Sequence, residues 1–147
     1  KSVIKSNENR SLLLLKRVFH LLKGKVKNKK ICFLGVTFKA NTDDMRDSSS
    51  LSMIPSLVRK GAKVNYYDPT GEKNEFKKIK NVNFSKNIKS AIKDSDLVII
   101  HTEWNDFKTI NFNKDVSNKK FILFDMRNIY SPVKMKDLKI NYFGIGH

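Results

Sequence analysis

Three short apolar runs, each of strand length and almost free of polar interruption, restrict this chain more than any other feature. They are "ICFLGVTF" (31–38), "DLVIIHT" (96–102) and "KKFILFDMRN" (119–128). A strand with one wet face alternates apolar and polar residues, whereas a strand covered on both faces has no such need. Continuous runs therefore predict a parallel sheet sheathed by helices, and the intervening segments supply those helices. "SSLSMIPSLVRKGA" (49–62) reads as a helix, with Ser48 or Ser49 as N-cap and Gly61 as its stop. Pro55 falls inside it, where it removes one backbone hydrogen bond and should bend the axis. "NIKSAIKDS" (87–95) reads as a short helix and "EWNDFKTI" (103–110) as a helical segment.

"KVNYYDP" (63–69) adds a strand ended by Asp68 and Pro69, "NVNF" (81–84) is a short strand candidate, and the tail "LKINYFGIGH" (138–147) reads as an edge strand or loop. Before the first strand, Leu12, Leu15, Phe19 and Leu22 recur at helical spacing from Val3 to Leu22, with Val18 beside them and Gly24 as the stop. The expected fold class is α/β: a Rossmann-like open, mainly parallel sheet of four or five strands, with helices on both faces and an N-terminal helix ahead of it. Two segments are expected, 1–24 as a helical segment and 25–147 as the α/β domain.

The chain has 147 residues, enough for one ordinary domain, and 39% hydrophobic residues can build a core. Its formal charge of +16 permits a polyanion partner. The lysines are scattered from end to end, however, and no basic stripe interleaved with aromatics marks a nucleic-acid surface, so nucleic acid is not the expected partner. The single cysteine, Cys32, lies within an apolar run and reads as a small buried hydrophobe. No stretch approaches the ~20 apolar residues that cross a membrane, and a cytoplasmic location is expected.

In an open α/β sheet, ligands bind beyond the carboxyl ends of the strands. That edge receives Phe38 and Lys39, then Asp68, then His101 and Thr102, and finally Asp125 to Asn128. Gly35 stands alone, so "GVTFKAN" is neither GxGxxG nor a P-loop. Phosphate recognition here must rest on Lys39, Arg46 or Arg127. Asp43, Asp44 and Asp47 precede a helix, where acids favour the dipole and pair with bases, and no metal site is expected from them. His101, at a strand end, reads as structural rather than as a general base, and His20 and His147 have less claim still. No nucleophile–histidine–acid arrangement is legible.

Four motifs in order, "FLGVTFKANTDDMRDSSS", "VNYYDP", "LVIIHTEWNDF" and "FDMRNIYSP", resemble the C-terminal, UDP-binding domain of the UDP-glucose/GDP-mannose dehydrogenase family from about residue 30 to the end. The resemblance implies the two-step, NAD-dependent oxidation of a sugar C6 alcohol to a carboxylate through a cysteine-bound intermediate. The family's cysteine and its glycine-rich NAD fingerprint belong to segments that precede this one, and Cys32 does not match that cysteine. The isolated chain is accordingly expected to be inactive, with NAD held mainly by the N-terminal domain. The "NTDDMR" and "TEW" forms are most similar to members that oxidise UDP-glucose, and members acting on UDP-N-acetylhexosamines or GDP-mannose are the alternatives. A stand-alone nucleotide-binding module is a further one.

Residue by residue, the resemblance puts Phe38 and Lys39 over the bound UDP-sugar and Arg127 in the substrate site. It sends Arg46 across an interdomain cleft toward NAD, and it makes residues 1–24 the end of a central linking helix. Met126 stands where the family commonly has glycine, so a side chain is expected to bear on the turn before Arg127. The implied partners are UDP-sugar, NAD and the remaining N-terminal and central domains, with a homodimer for the full-length protein.

Overall fold

The computed structural model describes the backbone of residues 2–146 and the side chains of residues 9–146. Lys1, which begins the first expected segment, and His147, which ends the second, lie outside the described residues. After helix α1 (Ser2–Leu21) come strand β1 (Lys30–Leu34), helix α2 (Ser50–Arg59), strand β2 (Lys63–Tyr67), strand β3 (Val82–Phe84) and helix α3 (Ile88–Ile92). They are followed by strand β4 (Leu97–Ile100), helix α4 (Phe112–Asp115), strand β5 (Ile122–Asp125), helix α5 (Pro132–Asp137) and strand β6 (Asn141–Gly144). The six strands form one sheet in the order β3-β2-β1-β4-β5-β6, and every neighbouring pair is parallel. The fold class is as expected, with both the short "NVNF" strand and the tail strand present, so the described residues hold six strands rather than four or five.

Alternate residues of the central strands feed two separate cores. Ile31 and Phe33 of β1, Leu97 and Ile99 of β4 and Phe124 of β5 face one layer, shared with Leu15 and Val18 of α1 and Met53 and Leu57 of α2. Cys32, Leu34, Val98, Ile100 and Leu123 face the other, shared with Ala91, Phe107, Phe112 and Met135. This two-sided demand explains why the runs carry no polar alternation. Cys32 is wholly buried and burial pushes its thiol pKa up, so it packs as a small hydrophobe.

Two expectations about helices are corrected. The stripe of α1 holds at Leu15, Val18, Phe19 and, just beyond the helix, Leu22, but Leu14 takes the buried place expected of Leu12, which is 57% exposed. Spacing alone does not choose between adjacent leucines in "SLLLL"; the position of α1 on the sheet does. The segment 103–110 makes only a single 3-10 turn at Asn105–Phe107. Trp104 and Phe107 both enter the second core, and a tight turn lets both reach it from a short connection.

Candidate functional site

The strand order reverses between β1 and β4, so their following loops diverge and open a crevice at the carboxyl edge. The two exits touch closely. Gly35 has φ +78°, and a Cβ there would fall 2.5 Å from Cβ of Thr102, so glycine is required by both backbone and space. The loop after β1 is fastened at its base. Ser48 and Ser50 both donate to the carbonyl of Val36 at 2.6 Å, and the Val36 N–H donates to buried Asp68 at 2.9 Å. Asp68 also accepts from Thr70, which makes it a fixture of the loop rather than a ligand group.

At the exit of β5, buried Asp125 organises the turn. Its side-chain oxygens accept from the backbone N–H of Arg127 at 3.1 Å, the N–H of Tyr130 at 3.0 Å and the hydroxyl of Tyr142 at 2.8 Å. Met126 is buried in the first core, so its side chain points away from the edge and Asp125 shapes the turn. Arg127 then spans all three central exits. Its Nε donates to the carbonyl of His101 at 2.9 Å, and a terminal nitrogen donates to that of Phe38 at 3.1 Å. Burial, and after it the nearby charge of Arg10, hold the Arg127 pKa below its ordinary value.

Arg10, Phe38, Lys39, Asp47, Ser49, His101 and Arg127 enclose a cavity of about 280 Å³. Three cations and one acid line it, which suits an anionic ligand. Phe38, Lys39 and Arg127, three of the four residues singled out from the sequence, are thus brought together. Arg46 is not among them. It lies at the tip of the loop, 88% exposed, with its guanidinium 3.0 Å from Asp44. The hydrogen bonds from the Arg46 side chain and backbone N–H hold the Asp44 carboxyl down at about 2.

His101 forms the floor of the cavity, buried against Phe33 at 5.9 Å between ring centroids. Its Nε2 lies 2.9 Å from Oγ of Ser49 and its Nδ1 lies 3.1 Å from Oγ1 of Thr102. Burial first, then the charges of Arg127 and Arg10, depress its pKa to about 3, so the ring is neutral at physiological pH. Sequence reasoning missed Arg10 and Ser49 as site residues. Ser49 carried a signal as an N-cap candidate, whereas Arg10 sits in a polar first part of α1 whose position on the sheet no local pattern reports. Among the described residues, no group of three or more His, Cys, Asp or Glu side chains is placed to hold a metal ion.

A doubly wound parallel sheet with a basic cavity at its switch point defines a nucleotide- or phosphate-binding α/β domain. Sequence comparison narrows that class. The chain belongs to the UDP-glucose/GDP-mannose dehydrogenase family, matching its UDP binding domain over residues 32–132. It is 36% identical over 141 residues to a UDP-glucose 6-dehydrogenase of Rhizobium meliloti (strain 1021), covering 95% of this chain and 32% of that protein. It is also 36% identical over 149 residues to a UDP-glucose 6-dehydrogenase of Rickettsia felis, covering 99% of this chain and 33% of that one. The chain thus spans about a third of the length of these curated relatives. Among solved structures, an NDP-N-acetyl-D-galactosaminuronic acid dehydrogenase from Methanosarcina mazei Go1 superposes with a TM-score of 0.75 at 20% identity. That alignment covers 95% of this chain and 29% of that one, and it speaks to the fold.

Proposed function

We propose that this chain is the nucleotide-sugar-binding part of an NAD-dependent UDP-glucose 6-dehydrogenase. The complete protein would convert UDP-glucose, two NAD+ and water to UDP-glucuronate and two NADH, with release of the balancing protons. In this reading residues 1–24 end a linking helix, and residues 25–147 form the UDP-sugar-binding domain. The observation that carries the reading is the convergence of Phe38, Lys39 and Arg127, from two different strand exits, on one cavity beside the β1–β4 reversal. Phe38 is 46% exposed and offers an apolar face to a base or sugar ring, while Lys39 and Arg127 meet charged oxygens. UDP-glucose is preferred over UDP-N-acetylhexosamines and GDP-mannose because of the 36% identity to proteins named for UDP-glucose.

The turn after β1 does not fit NAD. A dinucleotide pyrophosphate approaches bare backbone at successive glycines, and here the space beside the single Gly35 is filled by Thr102. NAD therefore belongs to the remainder of the protein, and exposed Arg46 is the residue free to reach toward it. The partners in this reading are the preceding domains and a second copy of the full-length protein. Calorimetric titration of the full-length protein with UDP-glucose, UDP-N-acetylglucosamine and GDP-mannose tests the reading. UDP-glucose should bind tightest, and Arg127→Ala should weaken it about 10-fold or more. Steady NAD reduction by the 147-residue chain alone would overturn the assignment of catalysis to the rest of the protein.

A further inference from the structure

The hydrogen-bond chain beneath the cavity fixes the direction of each of its protons. Thr102 has one hydroxyl hydrogen, and it is donated to the carbonyl of Thr37 at 3.0 Å. The 3.1 Å contact between Thr102 Oγ1 and His101 Nδ1 must then be an Nδ1–H donating to the threonine oxygen. A neutral imidazole carries one N–H, so Nε2 bears a lone pair. Ser49, 2.9 Å away, must donate its own hydroxyl hydrogen to that nitrogen. Its oxygen is left with lone pairs only. Ser49 occupies the N-cap position of α2 yet makes no side-chain capping bond, so the helix does not consume them.

We propose that His101 makes Ser49 an obligate hydrogen-bond acceptor in this cavity, and that Ser49 selects a ligand hydroxyl lying close to the bound phosphate. This rests on the nucleotide-sugar reading above and adds to it a division of labour. Arg10, Lys39 and Arg127 are donors and hold phosphate oxygens, whereas Ser49 and Asp47 present acceptors and repel them. A ligand that is phosphate alone satisfies only half of such a lining. A phosphate ester with hydroxyls nearby satisfies all of it, and those hydroxyls belong either to the ribose of a nucleoside diphosphate or to a hexose. The groups facing His101 are Arg127 and Arg10, both cationic, the backbone of Gly35, Phe33 and Ser49; burial and the two cations outweigh the Gly35 hydrogen bond and oppose a second ring proton, which would reverse the direction of the Ser49 contact.

The test is calorimetric titration of the full-length protein, as wild type, Ser49→Ala and Ser49→Thr, with four probes: pyrophosphate, UDP, 2′,3′-dideoxy-UDP and glucose 1-phosphate. Ser49→Ala should leave pyrophosphate affinity unchanged and weaken the hydroxyl-bearing partner about 5-fold, the ordinary effect of one neutral hydrogen bond. A loss with UDP that vanishes with the dideoxy analogue identifies the ribose. A loss confined to glucose 1-phosphate identifies the hexose. Ser49→Thr keeps the hydroxyl and should restore binding, and a melting temperature for each variant separates this from unfolding. Nitrogen-15 NMR of His101 should find Nδ1 protonated and Nε2 bare. Equal losses for pyrophosphate and for the hydroxyl-bearing probes, no loss for any, or a protonated Nε2 overturns the Ser49 assignment alone. Failure of the wild type to bind UDP and glucose 1-phosphate overturns the nucleotide-sugar reading beneath it.

Discussion

Arg127 and Arg46 belong to loops on the same edge of the sheet, and the two loops treat their arginines in opposite ways. The turn after β5 is tied to buried Asp125, and Arg127 is held by carbonyls from two other strand exits. The loop after β1 is tied at its base and pinned by buried Met45, yet the side chain of Arg46 projects out and bonds to Asp44 two residues away. A guanidinium already fixed by protein loses little freedom when a ligand arrives, which suits a ligand this chain holds itself. An exposed arginine on a self-paired tip surrenders that freedom on binding, which suits a group brought by another part of the protein. Each arginine carries one charge; the proposed difference in task rests on the difference in fastening.

The largest effect on this contrast is expected from acid. The unfolded chain takes up a proton at His101 below about 6.5, whereas the folded chain resists until about 3. Its contribution is therefore complete above 6.5 and is lost as pH falls toward 3, at up to about 1.4 kcal/mol per pH unit. Protonation also sets a charge against Arg127, loosening the fastened loop. Urea titrations at pH 7 and pH 4.5 check this, with equal stability at the two values counting against it. Asp125→Ala comes next. It orphans the N–H of Arg127 and of Tyr130 and leaves the Tyr142 hydroxyl only the longer bond to the Tyr130 carbonyl, at an expected loss of about 3 kcal/mol in urea unfolding. Asp125→Asn, which keeps one acceptor oxygen, should lose less.

Legibility in the sequence followed the range of the forces involved. The three apolar runs became β1, β4 and β5 because burial on both faces is written locally, in the lack of alternation. Phe38, Lys39 and Arg127 follow those strands directly, so the topology rule alone carries them to one edge. Arg10 arrives from α1, about ninety residues from the β4 exit in sequence, and only the packing of that helix on the sheet delivers it. Ser49 was legible as a helix start but not as a partner of His101, since no local pattern says that a capping serine will turn its hydroxyl elsewhere. Leu12 shows the same limit on a helix: a run of four leucines contains several stripes, and the tertiary contact selects one.

The smallest effects discriminate best between the two arginines, because they separate charge from placement. Arg127→Lys keeps the positive charge but cannot make both carbonyl bonds with the fixed fork geometry of a guanidinium. UDP-sugar affinity should fall about 10-fold, with stability changed by less than about 1 kcal/mol. Arg46→Gln removes the charge altogether, yet the residue is 88% exposed and its ion pair is a surface one. Stability should move by less than about 0.5 kcal/mol, and affinity for UDP-sugar in the absence of NAD should not change. Conserving charge at the fastened position is thus expected to cost more than deleting it at the free one. Equal losses of UDP-sugar binding in the two variants would mean that net charge governs the edge, and that the fastening of Arg127 has no part in recognition.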